Sequence, residues 1–113
     1  MENLEIRVLN KYTLSDPLPG VTRVWIMRGT PLGNPFEMLD RSDAERNRVC
    51  DEFHDWLRRK WKTNGPARAE LERLYALAQQ GPLELVCCCA PKRCHGDSVK
   101  AALEGMHKAR SAQ

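Results

Sequence analysis

Hydrophobic and polar residues alternate at the start of the chain: Leu4, Ile6 and Val8 are separated by Glu5 and Arg7, just ahead of Leu9. A period of two marks a strand with one buried face. "KYTLSDPLPG" follows, and Pro17, Pro19 and Gly20 interrupt any ladder there, so it predicts a loop. "VTRVWIMRG" is rich in β-branched and aromatic residues and predicts a second strand that ends at Gly29. In "TPLGNPF", Pro31, Gly33, Asn34 and Pro35 lie within five positions, which predicts a shaped loop at a strand end.

The period then lengthens. Val49, Phe53, Trp56, Leu57 and Trp61 fall on one helical face, and Ser42 with Glu45 makes a capping box, predicting a helix that Asn64-Gly65 ends. Pro66 opens a second helix as a first-turn proline, with Leu71, Leu74, Tyr75 and Ala78 on its stripe and Gly81-Pro82 as its stop. "LELVCCC" is a nearly continuous apolar run after a turn, the pattern of a central strand buried on both faces. Residues 97–110 predict a last helix, with Val99, Ala102, Leu103 and Met106 inward.

The order β-β-α-α-β-α predicts an α/β fold: a small Rossmann-like single domain, its short sheet of about three strands carrying packed helices and at least one parallel strand pair. A chain of 113 residues suffices for one core only, so residues 1–113 are expected as a single domain, with frayed ends at 1–3 and 108–113. In such sheets ligands gather beyond the carboxyl ends of the strands.

Composition changes this picture little. With 42% hydrophobic and 29% charged residues, disordered and fibrous classes are disfavoured, and a net charge of +3 names no partner by itself. No apolar run approaches the roughly 18 residues of a membrane span, and "MENLEIRVLN" lacks the basic and apolar regions of a leader. A cytoplasmic protein without membrane association is expected. Five cysteines, three of them adjacent, suit a disulfide framework badly and point to reduced thiols.

The candidate chemistry concentrates in "LVCCCAPKRCHGDSV". On an extended strand Cys87 and Cys89 share one face and Cys88 the other, and "APKR" then turns the chain so that Cys94, His95 and Gly96 reach the start of the last helix. A helix N-terminus carries unpaired N–H groups and partial positive charge, which bind anions and lower a thiol's pKa. The expected roles are therefore Cys94 as nucleophile or anion contact, His95 as base or charge partner, Asp97 as cap or orienting group, and Gly96 as a point of close ligand approach. If the second and third strands are parallel neighbours, Arg28, Thr30, Gly33 and Asn34 reach the same sheet edge and clamp an anion or nucleobase. The opposing structural reading makes these cysteines small core residues and the Asn34 loop a plain turn.

Two functions are thus in view. In one, a nucleotide or other phosphorylated ligand is bound at the Cys-His turn without a cofactor, and whether a reaction follows is open. In the other, Cys87, Cys89, Cys94 and His95 form a Cys3His zinc site in an adaptor without catalysis. That adaptor would bind a host protein or nucleic acid through the basic "RRKWK" surface at Arg58 to Lys62, although a solvated helix face is the commoner reason for such a run. His54 and His107 carry no assigned role, and Cys50 reads as helix packing.

Gly33, Asn34, Pro35 and Phe36, then Trp56 and Leu57, then Cys87, Cys89, Pro91, Cys94, His95, Gly96 and Asp97 resemble, in order, the segments of a bacterial and phage family called domain of unknown function 4326. The resemblance covers about residues 6–105 and implies a phage or mobile-element origin, hence a host cytoplasm. It implies no particular activity. The turn is also similar to that of another α/β family with a Cys-His-Arg turn, and Gly96 stands where that arginine would be.

Overall fold

The structure is a computed structural model that describes residues 4–88, 90 and 92–111. Strands β1 (Ile6–Asn10), β2 (Thr22–Trp25) and β3 (Leu83–Cys87) form one sheet in the order β1-β3-β2, with both pairs parallel. Helices α1 (Asp43–Trp61) and α2 (Pro66–Gln80) lie between β2 and β3 in the chain, and α3 (His95–Ser111) follows β3. One turn of 3-10 helix at Lys11–Thr13 stands where only loop was expected; Asn10 starts it by accepting the Tyr12 N–H at Oδ1.

The register explains the alternation. Val8, Leu85 and Val24 form one row across the sheet, and Ile6, Leu83 and Thr22 another. Residues two apart on a strand share a face. That face meets the helices in a single cluster built with Phe53 and Leu57 of α1, Leu71 and Leu74 of α2, and Val99 and Leu103 of α3. The intervening rows, Arg7-Glu84-Arg23 and Leu9-Val86-Trp25, face the other way. Arg23 pairs with Glu84 at 3.0 Å and also donates to the Ser15 carbonyl at 2.9 Å, holding the loop after β1 against this second face. Leu85 and Val86 are both fully buried, so β3 is covered on both faces, as its apolar run predicts.

The helix ends follow their local chemistry. Ser42 Oγ accepts the Glu45 N–H at 3.2 Å, one half of the capping box; Glu45 instead accepts the Leu39 N–H, and the Ser42 N–H goes to Asp40. Pro66 occupies the first turn of α2. Arg68 donates to the Trp61 carbonyl at 2.9 Å and lies 4.6 Å over that indole, tying the end of α1 to the start of α2. Boundaries differ from expectation in three elements. β2 stops at Trp25 and β3 at Cys87, and α3 begins at His95 and runs to Ser111. Arg110 holds that last turn by pairing with Glu72 and lying 4.9 Å over the Tyr75 ring. Among the described residues no helix is long and apolar enough to cross a membrane.

Because all strands are parallel, Asn10, Trp25 and Cys87 end at one edge of the sheet.

Candidate functional site

The Cys94-Asp97 turn is built by internal bonds. A Cβ on Gly96 would lie 2.8 Å from Val8 Cγ1, 3.1 Å from Ile26 Cδ1 and 3.2 Å from Cys94 Sγ, so only glycine lets the first turn of α3 rest on the sheet. Asn10 Nδ2 donates to the carbonyls of Ala90 (2.8 Å) and Cys88 (3.3 Å), fastening the end of β1 to the β3-α3 connection. Asp97 accepts the Cys94 N–H at 3.2 Å and returns its own N–H to the Cys94 carbonyl at 3.1 Å. It caps its own turn. His95 Nε2–H donates to the carbonyl of Ile26, one residue past β2, and the ring stands edge-on to Phe53 with centroids 5.2 Å apart. Burial pushes the imidazole below its ordinary 6.5, outweighing the upward pull of that carbonyl and of Asp97. The ring is therefore neutral near pH 7, with its proton on Nε2.

Cys94 is set deeper than His95 and Asp97 in the turn. Its thiol is 3% exposed and its Sγ lies 3.0 Å from Cys87 Sγ. The Gly96 N–H points at the sulfur and lowers its pKa, as a helix N-terminus should. The hydrogen bond with Cys87 and burial act the other way and win, so the thiol is pushed far up and stays protonated. In the folded turn the thiol is thus buried and held protonated, whereas the helix N-terminus taken alone would activate it. Of the Cys3His set, Cys87 and Cys94 meet, His95 turns Nε2 to a carbonyl, and Cys89 lies outside the described residues. Among the described residues no group of three His, Cys, Asp or Glu side chains is arranged to hold a metal ion.

The "RGTPLGNPF" loop does approach this turn. Arg28, Asn34, Cys94 and His95 line one cleft of about 460 Å³ beyond the carboxyl ends of the strands. Asn34 is engaged structurally: Oδ1 accepts the Phe36 N–H at 2.9 Å and Nδ2 donates to the Val49 carbonyl at 3.3 Å, docking the loop on α1. Thr30 and Gly33 shape the loop without lining the cleft. Thr30 donates through Oγ1 to the Met27 carbonyl at 2.7 Å, and a Cβ on Gly33 would sit 2.5 Å from that same oxygen. Gly96 likewise lies beneath the turn and does not line the cleft.

Sequence reasoning missed half of the wall. Lys11 from the turn after β1, Arg46 from the first turns of α1 and Arg93 from the β3-α3 connection join Arg28, and no carboxylate lines the cleft among the described residues. Each guanidinium has a carboxylate partner outside it: Arg28 with Glu37 (3.3 Å), Arg46 with Asp43 (3.0 Å) and Arg93 with Asp51 (2.7 Å). Arg46 is the most buried of the three, its side chain 13% exposed. Its Nε is buried without a hydrogen-bond partner, the one such side-chain nitrogen or oxygen among the described residues. Met27, Phe36, Met38, Val49, Cys50 and Cys88 supply the apolar and sulfur-bearing part of the lining. Cys88, exposed at the mouth, donates its thiol to Met27 Sδ at 3.3 Å. The signal for Lys11, Arg46 and Arg93 was present only as basic residues near element ends, where parallel strands converge.

Fold and site together define a small parallel α/β domain with a basic cleft at the carboxyl edge of its sheet. The chain belongs to the domain-of-unknown-function family DUF4326, whose model matches residues 11–105. No curated protein and no solved structure matches it.

Proposed function

We propose that this domain binds a small phosphorylated ligand, in the first instance a nucleotide, in the cleft at the carboxyl edge. The observation that carries the reading is Arg46 Nε: a buried guanidinium donor without an acceptor among the described residues, in a wall whose charged lining, among those residues, is basic throughout. An unpaired buried donor costs about 1–3 kcal/mol, and a turn of the Arg46 side chain that brings Nε onto a bound oxyanion removes that cost while forming a charge-assisted bond. The cleft volume of about 460 Å³ lies within the range of small-ligand sites. Met27, Phe36 and Val49 offer an apolar seat for a base. A Rossmann-like reading of the parallel sheet supports the same edge as the ligand position. In this reading Cys94, His95 and Asp97 form the frame of the site, and Arg28, Arg46 and Arg93 the anion clamp. The cytoplasm is the compartment such ligands imply.

Titration of the purified protein with inorganic phosphate, AMP, ADP and ATP, followed by calorimetry and by the thermal midpoint, tests this. At least one of the nucleotides is expected to bind and raise the midpoint, with affinity falling as salt rises. Arg46→Met should weaken it about ten- to a hundredfold, the value of a charge-assisted hydrogen bond. Absence of binding across the panel, or binding that Arg46→Met leaves unchanged, would overturn the proposal.

A further inference from the structure

Gly105 has no use within its own chain. It sits mid-helix in α3 at a negative φ, and a Cβ built on it would find no atom within 4 Å. A helical glycine is less stable than alanine, and here neither backbone conformation nor packing requires it. Gly96 in the same helix is fully explained by the sheet beneath it. What Gly105 does is keep a groove open. Between α1 and α3 runs a trough of about 380 Å³ that shares no lining residue with the carboxyl-edge cleft.

Its floor is apolar, with Leu57, Leu71 and Met106 buried beneath. One wall is the row Ala101, Gly105 and Ala109, at helical spacing on α3, which lets another backbone come close. The rim is cationic: Arg58 of α1 and Lys62 just after it line the trough, with Arg110 of α3, itself paired with Glu72, at its end, and no carboxylate lines it among the described residues. The lined stretch of α3, from Ser98 to Arg110, is about 18 Å long at 1.5 Å per residue, room for about three turns of a second helix.

We infer that this trough is a docking site for an acidic amphipathic helix of a partner protein, its apolar ridge against Leu57 and the Ala101-Gly105-Ala109 row and its carboxylates on Arg58 and Lys62. The row of small residues lets a helix backbone come close, and the cationic rim sets the sign of the partner. This gives the "RRKWK" run a use that phosphate contact does not require. The inference is independent of the cleft ligand.

The test is a displayed library of 18-residue helical peptides with Glu on the polar face and a varied apolar face, selected on the full chain and measured by fluorescence anisotropy. Micromolar binders are expected. They should weaken at least tenfold on Gly105→Met, which fills the trough, and at least tenfold on the double variant Arg58→Glu/Lys62→Glu. Gly105→Met should melt no lower than the parent chain, since the added side chain meets open space. No enriched binder, binders indifferent to Gly105→Met, or equal binding by peptides with Lys in place of Glu would overturn the inference. So would a nucleic acid or dodecanoate occupying the trough in a Gly105-dependent way while the acidic peptides do not.

Discussion

Two walls of the carboxyl-edge cleft are built in opposite ways. The Cys94-Asp97 turn holds the residues richest in chemistry, and most of their polar atoms point inward: the His95 imidazole to Ile26, the Asp97 carboxylate to the Cys94 N–H, the Cys94 thiol to Cys87. The arginine wall looks unremarkable as sequence, yet Arg46 ends there with a buried donor that nothing in the described chain satisfies. Reactive residue types do not mark a site by themselves. What marks it is capacity left over after folding.

The contrast can be broken most forcefully at the turn. Gly96→Val places branched carbon among Val8, Ile26 and Cys94, where even a Cβ is too close. Overpacking of this kind costs about 3 kcal/mol, and at about 4 °C per kcal/mol for a domain of this size the midpoint should fall by about 12 °C, measured by circular dichroism. A fall of only a degree or two would mean that the turn is not a rigid frame.

The thiols sharpen the comparison next. Cys88 is exposed at the cleft mouth, whereas Cys94 is sealed and held protonated by Cys87 and burial. In native protein at pH 8, iodoacetamide followed by peptide mass spectrometry should modify Cys88 at least about a hundredfold faster than Cys94, whose reaction awaits local opening. Comparable rates would restore Cys94 as a reactive group.

The smallest expected effect lies in His95. Its folded-state pKa is lowered by burial, so the unfolded chain takes up the proton first. Stability from this group is fully present above about pH 6.5, the unfolded value, and is lost as pH falls through the lower folded value. Urea midpoints measured from pH 7.5 down to 5 should decline for the parent chain and decline less for His95→Gln. Equal slopes would show that the imidazole is not buried neutral.

Much of the fold was legible in the sequence because its signals are local. Alternation around Ile6 and Val8, the apolar run 83–87, Ser42 before α1 and Pro66 at the head of α2 each act within a few residues. The meeting of Arg28 and Asn34 with Cys94 and His95 was also accessible, since it follows once β2 and β3 are parallel neighbours. The state of Cys94 was not. The helix N-terminus acts on it in the expected direction, but its pKa is decided by Cys87 across the turn and by the depth of packing, which are tertiary facts. Arg46 was hidden for a similar reason. A basic residue early in α1 reads as solvated until the loop carrying Asn34 and Phe36 folds over that end of the helix.

The most direct test sets the two readings of Arg46 against each other. In Arg46→Met the thermal midpoint of the unliganded protein and its affinity for the best-binding nucleotide are measured together. A residue kept for a ligand should reveal itself by opposite signs: the unliganded variant melts higher, by about 1 kcal/mol or about 4 °C, because a buried unpaired donor is gone, while nucleotide affinity drops at least about tenfold. A variant that melts lower and binds as the parent does would make Arg46 a structural residue and contradict the account.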